Sequence, residues 1–571
     1  VASAGLEVGA DLSALEMLEL LALTADDIDL SDDPRTQGLD RRWYPTGPGW
    51  DRISGYGRVN AYHAVSAVLD DEIPPEADIL TPDWFDWVDP EDQGAVEITG
   101  RVAADRDAVS SWTLEAGAGD EPTAWVELSS GTDAVDGLLA TWDPAATPLP
   151  GLDPAADLPQ QYGPDADQLV RETEVHRWNV TLRLTVEDTA GRIGESRKSF
   201  TLKHDPDALD GFPIDLGTSL EGSPNLVDLD GDGVREIVFG DTAGRVHALR
   251  ADGSELAGWP VTGTLLAELD PDDPQNHRAA PAYDTLDPDR YGSFVGSVAV
   301  ADLDADGSPE VVAGDLRGVL HAWTAGGQLL DGFPVRQDRV LPEDQTEDNV
   351  VDEGFFSSPA LGDLDGDGDL EIVVGGMDQN VYAWHHDGAM VDGFPVLPVY
   401  PGFEDVGSRI ISSPALGDLD GDGHLDIVIG TNETLNGTYG ATYAISGLGW
   451  EDARGAILPG WPVELFGAYT QALPYVGEGV PGSPAIGDLD QDGDLEVATH
   501  TIAGNVKAYH HDGTEYREHY GAASDFGAGS DVWDATIFPF INSSSMGDLD
   551  GDGGPDVVTG GIGAGIALSF N

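Results

Sequence analysis

The stretch Ser358-Pro-Ala-Leu-Gly-Asp-Leu-Asp-Gly-Asp-Gly-Asp-Leu-Glu-Ile-Val-Val-Gly-Gly376 decides the fold of the larger part of this chain. Its acidic core, followed by a short run of Val and Ile, occurs six times from about residue 210 onward. The first aspartates of the six cores are Asp228, Asp302, Asp363, Asp418, Asp488 and Asp548. Successive copies lie 74, 61, 55, 70 and 60 residues apart. A constant core at variable spacing predicts one repeated structural unit with loops of different length inserted.

Each unit is predicted to contain about four short strands. Runs such as residues 371–374 are rich in Val and Ile and are bounded by Gly and Asp-Gly turns, which is typical of strands. A Gly-aromatic-Pro element closes the units, and we expect its aromatic ring to pack between neighbouring sheets. These rings belong to Phe212, Trp259, Phe333, Phe394 and Trp461. Repetition of four-stranded units favours a β-propeller, an architecture that leaves only short, protected sheet edges.

The acidic cores predict metal-binding loops, which we number 1 to 6. Each loop carries carboxylates at positions 1, 3, 5 and 9 and a glycine at position 6. Oxygen ligands at alternate positions of a tight turn suit calcium, which takes six to eight of them. The predicted ligands are Asp228, Asp230, Asp232 and Glu236; Asp302, Asp304, Asp306 and Glu310; Asp363, Asp365, Asp367 and Glu371; Asp418, Asp420, Asp422 and Asp426; Asp488, Asp490, Asp492 and Glu496; and Asp548, Asp550, Asp552 and Asp556. We therefore expect about six structural calcium ions.

Other interpretations of the loops fit less well. An EF-hand needs a bidentate Glu at position 12 and flanking helices, but position 12 is occupied by Phe239, Ala313, Val374, Ile429, Thr499 and Thr559. Magnesium retains more water than four carboxylates allow, and zinc is disfavoured because the chain has no Cys and no paired His in the loops. Acidic turns without metal would leave like charges uncompensated in six places.

The loop spacing resembles the FG-GAP/VCBS repeats of integrin α-chain propellers and of secreted bacterial proteins, over residues 206–571. The resemblance implies that the calcium loops share one rim of a propeller. The number of blades stays open. Either the strand at Gly211-Phe-Pro213 closes a ring of six, or the ring belongs to a longer protein of seven or eight blades, which we favour.

The composition narrows the choice of partners. The 571 residues include 106 Asp and Glu against 26 Lys and Arg, a net charge of −80, and no Cys. Such a charge disfavours nucleic acid and anionic membrane surfaces, and no apolar run predicts membrane insertion. Without disulfides, an extracellular protein of this length needs another source of stability, for which calcium is the candidate. A salt-rich habitat is a hypothesis for the remaining charge.

Residues 1–72 predict helices. Ser13 and Glu16 form a capping box ahead of an apolar run, and a second helix is expected after Asn60. Leu23-Thr-Ala-Asp-Asp-Ile28 followed by Gly55-Tyr-Gly-Arg-Val-Asn-Ala61 resembles the last helices of a subtilisin-like serine protease domain.

That resemblance implies the C-terminal remnant of a protease domain. The Gly-Thr-Ser-x-Ala-x-Pro motif of the family's nucleophile does not occur in the sequence, so no catalytic residue is assigned and we expect no proteolysis by this chain alone. His63 and the doublets His385-His386 and His510-His511 are predicted to lie at the surface without a catalytic or metal-binding role.

Residues 75–205 predict an immunoglobulin- or fibronectin-like β-sandwich, because stretches such as Val180-Thr-Leu-Arg-Leu-Thr-Val186 alternate apolar and polar residues. The cluster Trp84-Phe-Asp-Trp87 is expected in its core, with a sugar-stacking surface as the alternative.

The order of these parts predicts a mainly β protein with a short helical segment at its start. We expect the non-catalytic, calcium-binding region of a secreted modular subtilisin-like endopeptidase, with the propeller stabilising the protein or recruiting substrate. The alternative is an extracellular or cell-surface adhesin or lectin that binds a protein or glycan through propeller loops inserted at about residues 264–293, 336–354 and 514–540.

Overall fold

The computed structural model divides the chain into two compact units, Val1–Ala208 and Leu209–Asn571. The fold is mainly β, as predicted, with two helices in the part of the chain that is described. Neither of these helices has the length and apolarity to cross a membrane. The structure describes residues 12–29, 46, 48–91, 94–156, 177–209, 211–265, 291–337, 354–400, 409–435, 439–449, 456–466, 479–500, 507–516, 543–549, 551 and 553–559.

Both predicted helices are present in the first unit. Helix α1 (Ala14–Leu23) begins at the capping box, in which the Ser13 hydroxyl accepts from the Glu16 N–H at 3.0 Å and the Glu16 carboxylate accepts from the Ser13 N–H at 2.9 Å. Helix α2 (Ala61–Leu69) follows Asn60, whose side-chain oxygen accepts from two N–H groups of its first turn. The two reciprocal bonds of α1 satisfy N–H groups that a helix start otherwise leaves unpaired.

Eight strands of the first unit form two sheets. One sheet has the order β1-β3-β6 and the other the order β2-β8-β7-β4-β5. All neighbouring strands are antiparallel except β2 and β8, which are parallel. The strands are β1 (Glu76–Thr81), β2 (Trp87–Val88), β3 (Val96–Ala103), β4 (Val109–Ala118), β5 (Val126–Gly131), β6 (Val135–Trp142), β7 (Asn179–Asp188) and β8 (Ile193–Leu202).

The two sheets share one apolar core. Ile79 and Ile98 come from the smaller sheet, whereas Leu114, Leu182 and Phe200 come from the larger, and all five side chains are fully buried. The alternation of apolar residues along β7 therefore buries one face of the strand, as the sequence predicts.

The aromatic cluster beside β2 is not in this core. Trp84 is 49% exposed and Phe85 is 89% exposed, and only Trp87 is half-buried, with its ring N–H donating to the Lys203 carbonyl at 2.8 Å. The prediction of a core position is therefore wrong for the first two rings. Both residues lie in the turn before β2, where the backbone of Phe85 has a φ of 68°.

The second unit is a series of small antiparallel sheets, none of which closes into a barrel. We number the sheets 1 to 6 like the loops. Sheets 1, 2 and 4 have four described strands, sheets 3 and 5 have three, and sheet 6 has two. Their strands are β9 (Asn225–Val227), β10 (Glu236–Gly240), β11 (Arg245–Leu249) and β12 (Val261–Thr262); β13 (Ala299–Ala301), β14 (Glu310–Gly314), β15 (Val319–Thr324) and β16 (Val335–Arg336); β17 (Ala360–Gly362), β18 (Glu371–Gly375) and β19 (Val381–Trp384); β20 (Ala415–Gly417), β21 (Asp426–Leu435), β22 (Tyr439–Ile445) and β23 (Val463–Phe466); β24 (Ala485–Gly487), β25 (Glu496–Thr499) and β26 (Lys507–Tyr509); β27 (Ser544–Gly547) and β28 (Asp556–Thr559).

Consecutive sheets pack against each other through the Gly-aromatic-Pro elements. The Trp259 ring is buried, donates to the Ala325 carbonyl at 2.9 Å and meets Trp323 of sheet 2 edge to face. Trp461 makes the matching bond to the His511 carbonyl of sheet 5. The predicted position between neighbouring sheets is confirmed for these two rings.

A ladder of serine hydroxyls also joins the sheets. Each serine lies five residues before the first aspartate of its loop, and its N–H donates to the hydroxyl of the serine in the next sheet. The four bonds run from Ser223 to Ser297, Ser297 to Ser358, Ser358 to Ser413 and Ser413 to Ser483, at 2.9 to 3.1 Å. The ladder holds corresponding parts of successive sheets side by side, so the loops that follow recur in equivalent positions.

Candidate metal centres

Each acidic loop joins the first two strands of its sheet. Position 9 is the first residue of the second strand and pairs with the last residue of the first strand, as Glu236 pairs with Val227 in sheet 1. The glycine at position 6 has a φ between 90° and 102° in all six loops, a region that side-chain-bearing residues rarely adopt. The sequence keeps glycine there because the chain must fold back at that point.

Backbone N–H groups hold the carboxylates of a loop in place. In loop 1 one oxygen of Asp228 accepts from the Gly233 N–H at 2.9 Å, and Asp230 and Asp232 each accept from the N–H two residues further on. Loop 2 repeats this pattern at Asp302, Asp304 and Asp306. These bonds keep the side chains turned toward the inside of the turn.

The acid at position 9 is buried beneath the loop. One of its oxygens accepts from the N–H of position 2, at 2.7 to 3.0 Å in all six loops. Its side chain is almost wholly excluded from solvent in loops 1 to 5, where the residues are Glu236, Glu310, Glu371, Asp426 and Glu496. One oxygen is thus bound by the backbone, and in loops 3 and 5 the other lies 2.9 and 3.1 Å from a histidine Nδ1 atom.

Three of the four predicted ligands converge in each of loops 1 to 3. Ligand atoms of Asp228, Asp230 and Glu236 lie within 4.8 Å of one another, and so do those of the corresponding residues in loop 2. In loop 3 the converging set is Asp363, Asp365 and Asp367. In two of these carboxylates one oxygen, Oδ1 of Asp228 and Oδ1 of Asp302, is buried and makes no hydrogen bond.

Burial and mutual repulsion act on the protonation of these acids. Burial raises the pKa of Glu310, Glu371 and Glu496, and in each case neighbouring aspartates of the loop raise it further. The pKa of Asp426 rises to about 7, first through burial and then through the charges of Asp420 and Asp422. A bound cation would reverse both effects, because it favours the ionised carboxylates.

The donors of loops 1 and 2 fit calcium. All of the converging side-chain atoms are carboxylate oxygens, which is the ligand type that Ca²⁺ prefers. The unpaired oxygens of Asp228 and Asp302 are buried acceptors, and an acceptor buried without a partner is costly. A hard dication inside each turn would satisfy the unpaired oxygen of that loop.

Loop 6 is described only in part. Asp548 and Asp556 hold the same backbone bonds as their counterparts, with Asp548 accepting from Gly553 at 3.0 Å and Asp556 from Leu549 at 3.0 Å. The predicted ligands Asp550 and Asp552 lie outside the described residues.

The histidine doublets lie beside two of the loops. His385 follows strand β19, and its Nδ1 atom is 2.9 Å from Glu371 of loop 3. His510 follows β26 and lies 3.1 Å from Glu496 of loop 5. The sequence predicted surface positions without a metal-binding partner. The rings are only partly exposed, and the structure brings them to the acids at position 9.

The doublets could not be assigned from spacing, because each histidine is 14 residues from its acid and meets it only through strand pairing. A usable signal was the coincidence of an Asp at position 7 with a His-His doublet, which occurs in these two repeats. His63, in contrast, lies on helix α2 with an exposed side chain 3.4 Å from Asp26, as predicted for a surface histidine.

Comparison with known proteins identifies one repeat. The FG-GAP-like repeat family matches residues 363–429, which include loops 3 and 4 and end within the second strand of sheet 4. This confirms the predicted repeat type for that segment. No curated protein matches the sequence.

Solved structures show weaker similarity. BamB from Moraxella catarrhalis is 14% identical over 58% of this chain and 69% of its own, with a TM-score of 0.30. The C-terminal domain of Pseudomonas aeruginosa PilY1 is 17% identical over 50% of this chain and 60% of its own, with a TM-score of 0.31. Sqt1 from Saccharomyces cerevisiae is 10% identical over 75% of this chain and 82% of its own, with a TM-score of 0.29.

Proposed function

We propose that the second unit is a calcium-binding β-propeller module in which the six loops hold structural calcium ions. The observation that carries the proposal is the convergence of three carboxylates in one turn, next to a buried aspartate oxygen without a hydrogen bond, in loops 1 and 2. The ion would be held by the side chains at positions 1, 3, 5 and 9. Its role is to neutralise the acids of the loop that joins the first two strands of each sheet.

The expected size of the effect supports a structural role. If each site has a Kd of about 0.1 mM, then about 1 mM calcium stabilises the fold by roughly 1.4 kcal/mol per site. Six sites together contribute on the order of 8 kcal/mol, which is comparable to the stability of a whole domain. No chemistry beyond charge neutralisation is required of the ion.

Titration calorimetry of the whole chain with CaCl₂, after treatment with chelator, tests the proposal. We expect several equivalents to bind and the melting temperature of the second unit to rise. Absence of both binding and a thermal shift would refute it and would leave the loops as acidic turns.

We further propose that the chain serves as the non-catalytic region of a secreted, modular subtilisin-like serine endopeptidase. The proposal is supported by the resemblance of residues 1–72 to the end of a protease domain and by the two helices that the resemblance requires, α1 and α2. We also propose that the two sheets of the first unit form an immunoglobulin- or fibronectin-like β-sandwich. Sequencing of the encoding gene upstream of this region tests it, since a Gly-Thr-Ser-x-Ala-x-Pro motif is expected there and an unrelated domain would exclude it.

Contacts at Gly211 support a further blade strand ahead of sheet 1. A Cβ atom at Gly211 would lie 1.9 Å from the Asp252 carbonyl of sheet 1, as one at Gly258 would lie 2.2 Å from the Gly326 carbonyl of sheet 2. Gly211-Phe-Pro213 thus contacts the sheet that follows it in the way that the other copies do. We propose that it is the outer strand of a blade completed by the sixth repeat in a ring of six, or by another repeat in a ring of seven or eight.

Adhesion to a glycan is a second candidate, favoured by the exposed rings of Trp84 and Phe85. Their centroids are 6.3 Å apart, and exposed aromatic rings are suited to stack on sugars. The inserted propeller loops at about residues 264–293, 336–354 and 514–540 lie largely outside the described residues. Glycan-array binding that is lost in Trp84→Ala but kept in Trp87→Phe would support this candidate, and a chain that binds no glycan would exclude it.

A further inference from the structure

Loops 3 and 5 differ from loops 1 and 2 in the atoms that converge on them. In loop 3 the Nδ1 atom of His385 and carboxylate oxygens of Asp365 and Glu371 all lie within 4.8 Å of one another. In loop 5 the corresponding set is His510, Asp490 and Glu496. The same mixed set of one imidazole and two carboxylates therefore occurs in two separate repeats.

The histidine occupies a position that other residue types fill elsewhere. The backbone N–H at this position donates across the turn to a carbonyl four residues further on, from His385 to Ala389 and from His510 to Thr514. The same bond begins at Arg250 in sheet 1 and at Thr324 in sheet 2. The scaffold therefore does not require a histidine here.

A second pair accompanies the first in both repeats. The Nδ1 atom of His386 lies 2.7 Å from Asp369, and that of His511 lies 2.8 Å from Asp494. The carboxylates occupy position 7 of their loops, which is Val234 in loop 1 and is a Ser and a His in loops 2 and 4. The histidine doublet and the additional aspartate thus occur together.

In both pairs one carboxylate oxygen has no hydrogen bond. Nδ1 of His386 contacts Oδ2 of Asp369, and Nδ1 of His511 contacts Oδ2 of Asp494, whereas the Oδ1 atoms of both aspartates are buried without a donor. An acceptor buried without a partner is costly. A cation beside the pair would satisfy it.

We propose that loops 3 and 5 each bind a transition-metal dication of the zinc class, through one imidazole nitrogen and two carboxylates. Imidazole favours zinc and its neighbours in the first transition series, whereas loops whose ligands are all carboxylates favour calcium. Zinc is commonly bound by three protein ligands, with water or another ligand at the fourth coordination position. This inference rests on the proposed metal-binding function of the loops and assigns a different ion to two of them.

The test is a calorimetric titration of the full chain with ZnCl₂ in the presence of excess CaCl₂. We expect two zinc equivalents to remain bound, because calcium competes poorly for a nitrogen-containing site. His385→Gln and His510→Gln should each remove one equivalent, and the double variant should remove both. The matched control His63→Gln, which changes a histidine that also lies near a carboxylate, should leave two.

A measurement on the unaltered chain guards against misfolding of the variants. Co²⁺ added in excess calcium should give the visible absorption bands of cobalt bound to nitrogen and oxygen ligands, and Zn²⁺ should abolish them. Zinc and cobalt that are fully displaced by calcium, or a zinc stoichiometry unchanged in the double variant, would show that the histidines serve only as counter-charges and would overturn the proposal.

A calcium titration of the same samples separates the two levels of the argument. If calcium binds and zinc does not, only the assignment of loops 3 and 5 fails. If neither ion binds, the proposed function of the loops fails with it.

Discussion

The first unit places arginine side chains against its buried acids, whereas the second unit places buried acids beside one another. Residues 1–208 contain 42 Asp and Glu against 14 Lys and Arg, and residues 209–571 contain 64 against 12. In the first unit Arg106 binds the buried Glu16 with two nitrogens, at 2.7 and 2.8 Å, and Arg192 lies 2.7 Å from the buried Asp188. In loops 1 and 2 of the second unit, three carboxylates converge within 4.8 Å.

This difference indicates how each unit depends on its surroundings. A guanidinium group is part of the chain and is always charged, so its contribution is present in any buffer. A cation taken from solution contributes only in proportion to its concentration and affinity. We therefore expect the stability of the second unit, and not that of the first, to follow calcium.

Removal of calcium is expected to have the largest effect. In buffer without zinc, chelation should destabilise the second unit by on the order of 8 kcal/mol relative to about 1 mM calcium, because six sites each lose roughly 1.4 kcal/mol. Differential scanning calorimetry should show the transition of the second unit moving with calcium while that of the first stays in place. A shift of both transitions by the same amount would contradict the expectation that only the second unit depends on calcium.

Removal of an arginine partner should affect the first unit. Arg106→Ala leaves the Glu16 carboxylate buried without its bidentate partner and should cost about 3 to 5 kcal/mol in the free energy of unfolding. The control is Arg58→Ala, which removes an exposed side chain paired with Asp26 and should cost much less. Denaturant unfolding with and without calcium measures both, and a calcium-dependent effect of Arg106→Ala would contradict the assignment.

A buried acid predicts how the stability of the first unit depends on pH. Burial raises the pKa of Glu19 from 4.5 to about 8, although its carboxylate accepts from the Glu195 N–H at 3.1 Å. Because the folded-state pKa is the higher one, the stabilisation is complete below about pH 4.5 and is lost as the pH rises through about 8.

Glu19→Gln keeps an acceptor for that N–H and removes the titration. The variant should exceed the wild type in unfolding free energy by about 5 kcal/mol at high pH, since the pKa rises from 4.5 to about 8 and one pKa unit corresponds to about 1.4 kcal/mol, and should match it at low pH. Unfolding free energies measured across this range decide the matter. A difference in unfolding free energy that does not change with pH would show that Glu19 has the same pKa in the folded and unfolded states.

The smallest expected effect concerns a single loop. Asp228→Asn should lower the stability of the second unit by about 1.4 kcal/mol in about 1 mM calcium, through loss of one site. In chelator the variant should be no less stable than the wild type, because it relieves repulsion within the loop. Asp252→Asn, in a turn of the same sheet outside the loop, is the matched control and should behave alike in both buffers.

Some features were predictable because they depend on local interactions. The capping box of α1 involves residues three positions apart, and each loop glycine is required by the fold-back of its own turn. The acid at position 9 could also be assigned to the loop from the sequence, because it recurs at a fixed distance from the first aspartate and begins the next strand. Its bond to the N–H of position 2 spans only seven residues.

Other features depend on contacts that distant residues make. Trp84 and Phe85 have apolar rings that suit a core, but the turn before β2 places them outside the packed sheets. The serine ladder joins residues 55 to 74 positions apart, and no property of one serine predicts its partner in the next sheet.

By itself, the sequence determined the mainly β fold, the six-fold repeat and the residues of the acidic loops, because alternation, turn glycines and carboxylate spacing act within a few residues. Only the tertiary structure decided which acids are buried, which oxygens lack a hydrogen bond and which loops receive a histidine. Those properties arise from strand pairing and from the packing of one sheet on the next, which bring together residues that the sequence separates.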